Sequence, residues 1–432
     1  MLKHTVEEVV LSSGAKGLLI DVPDASVMDV QINFRAGDEY VADPNKWETA
    51  HIMEHMSLGA NKSYKTAKLF TAEIEKNGAY TNASTGSTEM TYTTECADFE
   101  WDRVLDLLCL GISQPLFLEE EFRAEYSNVE EEMLYRSNNH GWQLSLEMAK
   151  RFGFSDKTMQ ERLQLMPNVT VEDVRKHYKD THFAQNMRFV IAGKIKGRKK
   201  RIISMLESMP LEDKPEGQRF EIPKDLPETL KEVVYIQNDT VPNAYFYIDT
   251  YHSAELSRDK LLALGILNAI LVETWSSRIF GTAREKGLIY YLQSSADRNK
   301  YCTSWWFGSQ ISEKQLKPFL ELLVSELMRI KKGLLKESEL DAAKMYLVGG
   351  HMRSAQTVGS IASGYSGAYY YEDRVNDFFT KYPARVKKVT KKDIIDTTRT
   401  MFEDNIWGLG FLGTISEQAR KEAYDQISTL WK

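Results

Sequence analysis

The chain has 432 residues, 42% of them hydrophobic and 27% charged, which is ordinary usage for a globular protein and leaves room for two or three domains. Lys and Arg total 55 against 62 Asp and Glu, and the net charge of −7 lacks the basic face that a nucleic-acid binder needs. No apolar run approaches the roughly 18 residues that span a bilayer, Met1-Leu2-Lys3-His4 leads into Glu7 and Glu8 without an apolar leader, and Cys96, Cys109 and Cys302 are too few and too scattered for a disulfide framework, so the expected setting is cytoplasmic and reducing, with no nucleic-acid or membrane partner.

Along the chain, Val27–Phe34 alternates with period two and predicts a half-buried strand. Trp47–Met56 is free of Gly and Pro and reads as a helix carrying His51, Glu54 and His55. Thr88–Thr94, β-branched and aromatic, predicts a second strand, and Phe99–Leu110 and Leu118–Tyr135 show the three-and-four spacing of amphipathic helices. Prolines at 210, 215, 223 and 227 mark an extended linker at 211–229. Leu316–Lys331 is a further amphipathic helix. Two blocks repeat at one offset: Val169–Val174 resembles Val389–Ile394, and Phe189–Ile195 resembles Leu409–Ile415, each 220 residues on. The expectation is an α+β chain of two homologous halves, 1–210 and 230–432.

Chemistry concentrates in His51-Ile52-Met53-Glu54-His55. Helical positions i and i+4 share a face, so two imidazoles can grip one ion while Glu54, on the neighbouring stripe, reaches a water. A chance H-x-x-E-H should occur in roughly one such sequence in a hundred. A hydrolytic zinc site takes three protein ligands. The acidic helix around Glu125–Glu132 offers the third, because Glu125 and Glu132 share one face with Val129 and a carboxylate turned inward needs a partner. Spacing alone does not choose between Glu130, Glu131 and Glu132.

With these motifs the chain resembles the insulinase-like M16 zinc metallopeptidases, specifically the short two-domain members similar to mitochondrial processing peptidase subunits. Phe34–Glu39 looks like the strand and turn ahead of the family's zinc helix, and His51, Glu54 and His55 match its inverted motif. Asn77–Thr85, followed by Glu89 and Tyr92, matches the family's edge strand. Glu125-x3-Val129-x2-Glu132 matches the helix bearing the third ligand. The resemblance implies two α/β-sandwich-like halves of the LuxS-like metallohydrolase fold. It implies Zn²⁺ on His51, His55 and Glu132, one ion per chain, with Glu125 orienting the site and Glu54 as general base. Arg284–Tyr291 resembles the family's R-E-K-x-G-L-x-Y segment, one residue short between Lys286 and Gly287. Anchoring on Gly-Leu-x-Tyr selects Tyr290 and anchoring on Arg selects Tyr291; with Arg284, that tyrosine is implied to hold the substrate carbonyl.

At the 220-residue offset, Leu271, Thr274 and Trp275 replace His51, Glu54 and His55, so the second half is expected to be a metal-free support. The expected activity is a zinc metallopeptidase hydrolysing short or unfolded peptides added as a strand beside Asn82 and Ala83. The alternative is a non-catalytic partner subunit of a heterodimeric peptidase. Having both the zinc motif and the Arg/Tyr segment favours a homodimer over a heterodimer with a related chain. His177 and His182, five apart, do not share a helical face and predict no second metal site.

Overall fold

A computed structural model describes residues 2–214, 219–224, 226–298 and 301–432. Its strands are β1 (Thr5–Val10), β2 (Lys16–Asp21), β3 (Val27–Arg35), β4 (Tyr80–Thr85), β5 (Glu89–Ala97) and β6 (Arg188–Gly193), then β7 (Val234–Gln237), β8 (Ala244–His252), β9 (Gln293–Arg298), β10 (Thr303–Ile311) and β11 (Ile406–Gly413). The first six form one sheet in the order β1-β2-β6-β3-β5-β4, and the other five form a second in the order β7-β11-β8-β10-β9. Without β1 the two orders are the same. The β2–β6 and β7–β11 pairs are parallel, and all other pairs are antiparallel. The duplication read from the sequence is thus a duplicated sheet, with Gly193 and Gly413 each closing the equivalent strand.

The chain divides into two compact units. One contains residues up to Leu134 with Gln160–Pro223 and Met352–Thr380; the other contains Tyr135–Met159, Lys224–His351 and Lys381–Lys432. Cutting at 211–229 gives contiguous halves, whereas the compact units exchange a segment each way. The helix His140–Phe152 packs on the second sheet through Leu144, Met148 and Phe152, and the helix Val358–Glu372 packs on β3 and β6 of the first. Each sheet has two faces to cover, and its own half supplies helices mainly to one. Within the proline-rich stretch, residues 215–218 and 225 lie outside the described residues; 219–224 carries neither helix nor strand.

In the first unit one sheet face packs on an apolar core that includes Phe34, Phe70, Tyr92 and Phe189. The opposite face meets Val358, Ile361, Ala362, Tyr365 and Tyr369. The half-buried expectation for β3 therefore changes, because both of its faces are covered. Met28, Val30, Ile32 and Phe34 face apolar neighbours, while the alternate Asp29, Gln31, Asn33 and Arg35 are also buried. Asp29, Gln31 and Asn33 find side-chain partners, whereas Arg35 Nε is buried without one among the described residues. Gln31 Nε2 donates to Ser363 Oγ at 3.1 Å, and Thr91 Oγ1 donates to Asn33 Oδ1 at 2.6 Å. The three cysteines are buried and form no disulfide. No described helix is long and apolar enough to cross a membrane.

Candidate metal centre

Two helices of the first unit build the site. The first, Thr49–Ser57, buries Ala50, Ile52, Met53 and Met56 and lies against β4 and the helix Val171–Thr181. This fixes its rotation and leaves His51, Glu54 and His55 together on its remaining side, with His51 buried and the other two half-buried. The second, Glu119–Arg136, opens with three glutamates, a charge pattern that suits a helix N-terminus. It is anchored by buried Phe122, Val129 and Met133, and Glu125 and Glu132 emerge half-buried on either side of Val129. Glu130 and Glu131 are exposed, so it is Glu132 that the fold brings to the histidines.

Glu132 Oε2 lies 3.6 Å from His51 Nε2 and 3.3 Å from His55 Nε2. One donor atom from each of the three residues lies within 4.8 Å of the others. Two ligands bound tetrahedrally at about 2.0–2.1 Å from a zinc ion are about 3.3 Å apart, so the spacing fits one such ion. The far side of each ring is tied down. His51 Nδ1 lies 3.1 Å from Glu48 Oε2, and His55 Nδ1 lies 3.1 Å from Glu125 Oε2. A carboxylate on Nδ1 makes that nitrogen the N–H donor and turns the Nε2 lone pair inward, as metal-binding histidines require. This donor set fits Zn²⁺.

Electrostatics follow from burial and these contacts. Burial disfavours the His51 imidazolium, but the hydrogen bonds to Glu132 and Glu48 and the nearby charge of Glu54 outweigh it and raise the ring to about 9. Burial alone would raise Glu48, yet its bonds to His51 and Arg162 hold it below the usual carboxylate range. Glu125 is lowered by its bond to His55. Asp38, buried beside the Arg162 and Glu48 charges, is pushed up by loss of solvent.

Glu48 and Arg162 are the residues that sequence reasoning missed. Arg162 forks onto Glu48, with Nε 2.5 Å from Oε1 and Nη2 2.9 Å from Oε2. The signal for Glu48 was present, since it precedes His51 by three positions and so shares its face. Arg162 lies 114 residues from Glu48 and left no local trace.

Asn82 and Ala83 lie on β4, the edge of the first sheet, with Asn82 exposed and Ala83 half-buried. Arg284, Tyr290 and Tyr291 lie in the second unit. There the Arg284 guanidinium sits 4.3 Å from the Trp275 ring centroid and 4.6 Å from that of Tyr290, which is exposed. Tyr291 is half-buried, and its carbonyl accepts from Ser309 Oγ. His177 and His182 are core residues: His177 Nε2 is 2.9 Å from the Ala36 carbonyl, and His182 stacks on Phe34 at 4.3 Å.

Two sequence-family models match adjacent stretches of the chain. Residues 19–164 match the insulinase domain of peptidase family M16, and residues 168–347 match the domain described as the M16 inactive domain. The chain belongs to peptidase family M16. A Rickettsia felis protein named an uncharacterized zinc protease is 26% identical over 415 residues, covering 91% of this chain and 94% of that protein. Among solved structures, a protease from Helicobacter pylori superposes with a TM-score of 0.82 at 19% identity, covering 95% of this chain and 100% of that one. A Pseudomonas fluorescens structure described as a peptidase M16 inactive domain gives 0.80 at 17% identity, covering 95% and 98%. These two establish the fold: an M16 chain of the short type with two duplicated halves.

The inactive-domain match spans the end of the first half and much of the second, including the positions 220 residues beyond the histidine motif. There Leu271 is buried in the core, Thr274 follows the π-helical turn Ala269–Glu273, and Trp275 is exposed, so these positions carry no counterpart of His51, Glu54 and His55.

Proposed function

We propose that this M16 chain is a zinc-dependent metallopeptidase acting on short or unfolded peptides. The observation that carries the reading is the convergence of His51 Nε2, His55 Nε2 and a Glu132 oxygen, with Glu54 on the same helix as both histidines. Zn²⁺ held by these three side chains would supply a Lewis acid and a water acidified towards neutrality. Glu54 accepts a proton from the attacking water and returns it to the leaving amide nitrogen. Glu48 and Glu125 hold the two imidazoles in the orientation the ligand set needs. Asn82 and Ala83, on edge strand β4, bind the peptide main chain as an added strand, which asks little of its sequence. Arg284, with Tyr290 or Tyr291, holds the substrate carbonyl. The active form is a homodimer in a reducing, cytoplasmic setting.

The test is E54Q. The expected result is one zinc per chain in both proteins and loss of chelator-sensitive cleavage of a quenched peptide in the variant only. Retained cleavage refutes the role of Glu54. A non-catalytic partner subunit has no use for Glu54, and under that alternative the wild-type chain, assayed alone, cleaves nothing.

A further inference from the structure

We infer that Glu48 and Arg162 form a positioning pair for the metal centre, setting zinc affinity through His51 without touching the ion. The inference rests on the metal set proposed above and not on hydrolysis.

Glu48 stands at the N-cap of the helix Thr49–Ser57, where a carboxylate ordinarily accepts from the first-turn backbone amides. It makes no such capping bond. Its side chain is fully buried and turned inward, with Oε2 receiving both His51 Nδ1 at 3.1 Å and Arg162 Nη2 at 2.9 Å. A carboxylate placed this way would be costly to bury alone. Arg162, only 12% exposed, neutralises it and, through the second bond of its fork, fixes the carboxylate plane. The ring plane of His51, and with it the direction of Nε2 towards Glu132, follows from that plane. Asp38 is also buried near this guanidinium.

The two histidines are therefore held differently. His55 relies on Glu125, which is half-buried and bonded to Asn128 on its own helix. His51 relies on a buried ion pair reaching to residue 162, in the segment that returns to the unit after the excursion 135–159. Residues of this outer layer typically change metal affinity 10- to 100-fold when altered.

The experiment measures zinc affinity of the full chain by chelator competition, together with the visible absorption of the cobalt-substituted protein. Wild type is compared with E48Q and with the apolar pair E48L/R162M, which removes both buried charges together and so spares the fold an unpaired ion. E48Q keeps an acceptor for Nδ1–H and is expected to bind zinc several-fold more weakly. E48L/R162M is expected to bind 10- to 100-fold more weakly with an altered cobalt spectrum, at an unchanged far-UV spectrum. Wild-type affinity and an unchanged cobalt spectrum in either variant overturn the inference alone. A wild-type chain that takes up no stoichiometric zinc overturns the metal reading, and this inference with it.

Discussion

Glu125 Oε2 accepts from two side chains at once, His55 Nδ1 at 3.1 Å and Asn128 Nδ2 at 3.0 Å. Asn128 sits one helical turn further on and holds the carboxylate against the ring. E125Q can present its amide nitrogen to His55 and so favour the wrong tautomer, with Nδ1 unprotonated. We expect a loss of zinc affinity of about 10-fold or more. Secondary structure should be unchanged, because Glu125 is half-buried and takes no part in the apolar contacts of Phe122, Val129 and Met133. Isothermal titration with zinc checks this, and N128A, which leaves the carboxylate in place, should show a smaller loss.

The metal-free centre should respond to pH in a defined window. His51 is raised from an ordinary 6.5 to about 9 by its carboxylate partners against the opposing effect of burial. A raised folded value means the stabilisation is fully present below pH 6.5 and fades as pH rises through about 9. Glu48 and Glu125 are lowered, so their contribution is present above the ordinary 4.5 and is lost as pH falls further. The metal-free chain is expected to show a thermal midpoint that declines between pH 6.5 and 9. Zinc uptake at pH 7 must displace the His51 proton, visible as a dependence of the binding enthalpy on buffer ionisation. An H51Q chain should lose both effects; equal pH profiles for the two proteins would remove His51 as their source.

The strands and the histidine pair were legible in the sequence because their signals are local: period two in Val27–Phe34, and spacing of four in His51 and His55. The choice of Glu132 over Glu130 and Glu131 came only through the family resemblance, since neighbouring glutamates differ only in which side of a helix is turned inward, and packing around Val129 and Met133 sets that. The exchange of helices was equally hidden. Leu144, Met148 and Phe152 announce a buried face, as do Val358, Ile361 and Tyr365, but hydrophobicity carries no address, and each helix covers the sheet that its own half did not build. The buried polar side of β3 was misread for the same reason: Asp29 and Gln31 look solvated until Val358–Glu372 is placed over them.

Gly37 links the fold to the site. A Cβ built there would come within 2.2 Å of the Gly86 carbonyl oxygen and 2.6 Å of that of Ser87. Those carbonyls accept the amides of Asp38 and Glu39, at 3.2 and 2.9 Å. G37A must therefore push the 86–87 turn away or shift Asp38 from its place near Arg162. The expected cost is about 1–3 kcal/mol, as for other overpacked sites. Chemical denaturation measures it, and G78A is the control, since a side chain there meets nothing within 4 Å. Gly78 has a φ of 85°, so its own small penalty is conformational and should leave zinc affinity untouched.

The last turn of Val358–Glu372 is secured by Asp373, which adopts the left-handed region at φ 49° and receives a fork from Arg188, with Nε 2.5 Å from Oδ1 and Nη2 2.8 Å from Oδ2. Arg188 is 4% exposed on β6, whereas Asp373 is 35% exposed, so solvent screens one partner only. Lys16 and Arg219 approach the same carboxylate at 3.7 and 3.4 Å. D373N keeps a residue that tolerates the left-handed conformation and removes the charge shared by three cations. Arg188 is then left buried without its anion. The expected destabilisation is about 2 kcal/mol, below the range for breaking a fully buried pair because of the exposed partner. Helix 358–372 covers Leu18, Ile20, Val190 and Ala192, so its loosening should also expose the chain near 372–376 to limited proteolysis before global unfolding. D396N, which breaks the exposed Lys392–Asp396 pair, should change neither readout. If D373N unfolds and resists protease as wild type does, the helix is held by its apolar face alone and the arginine fork adds nothing to it.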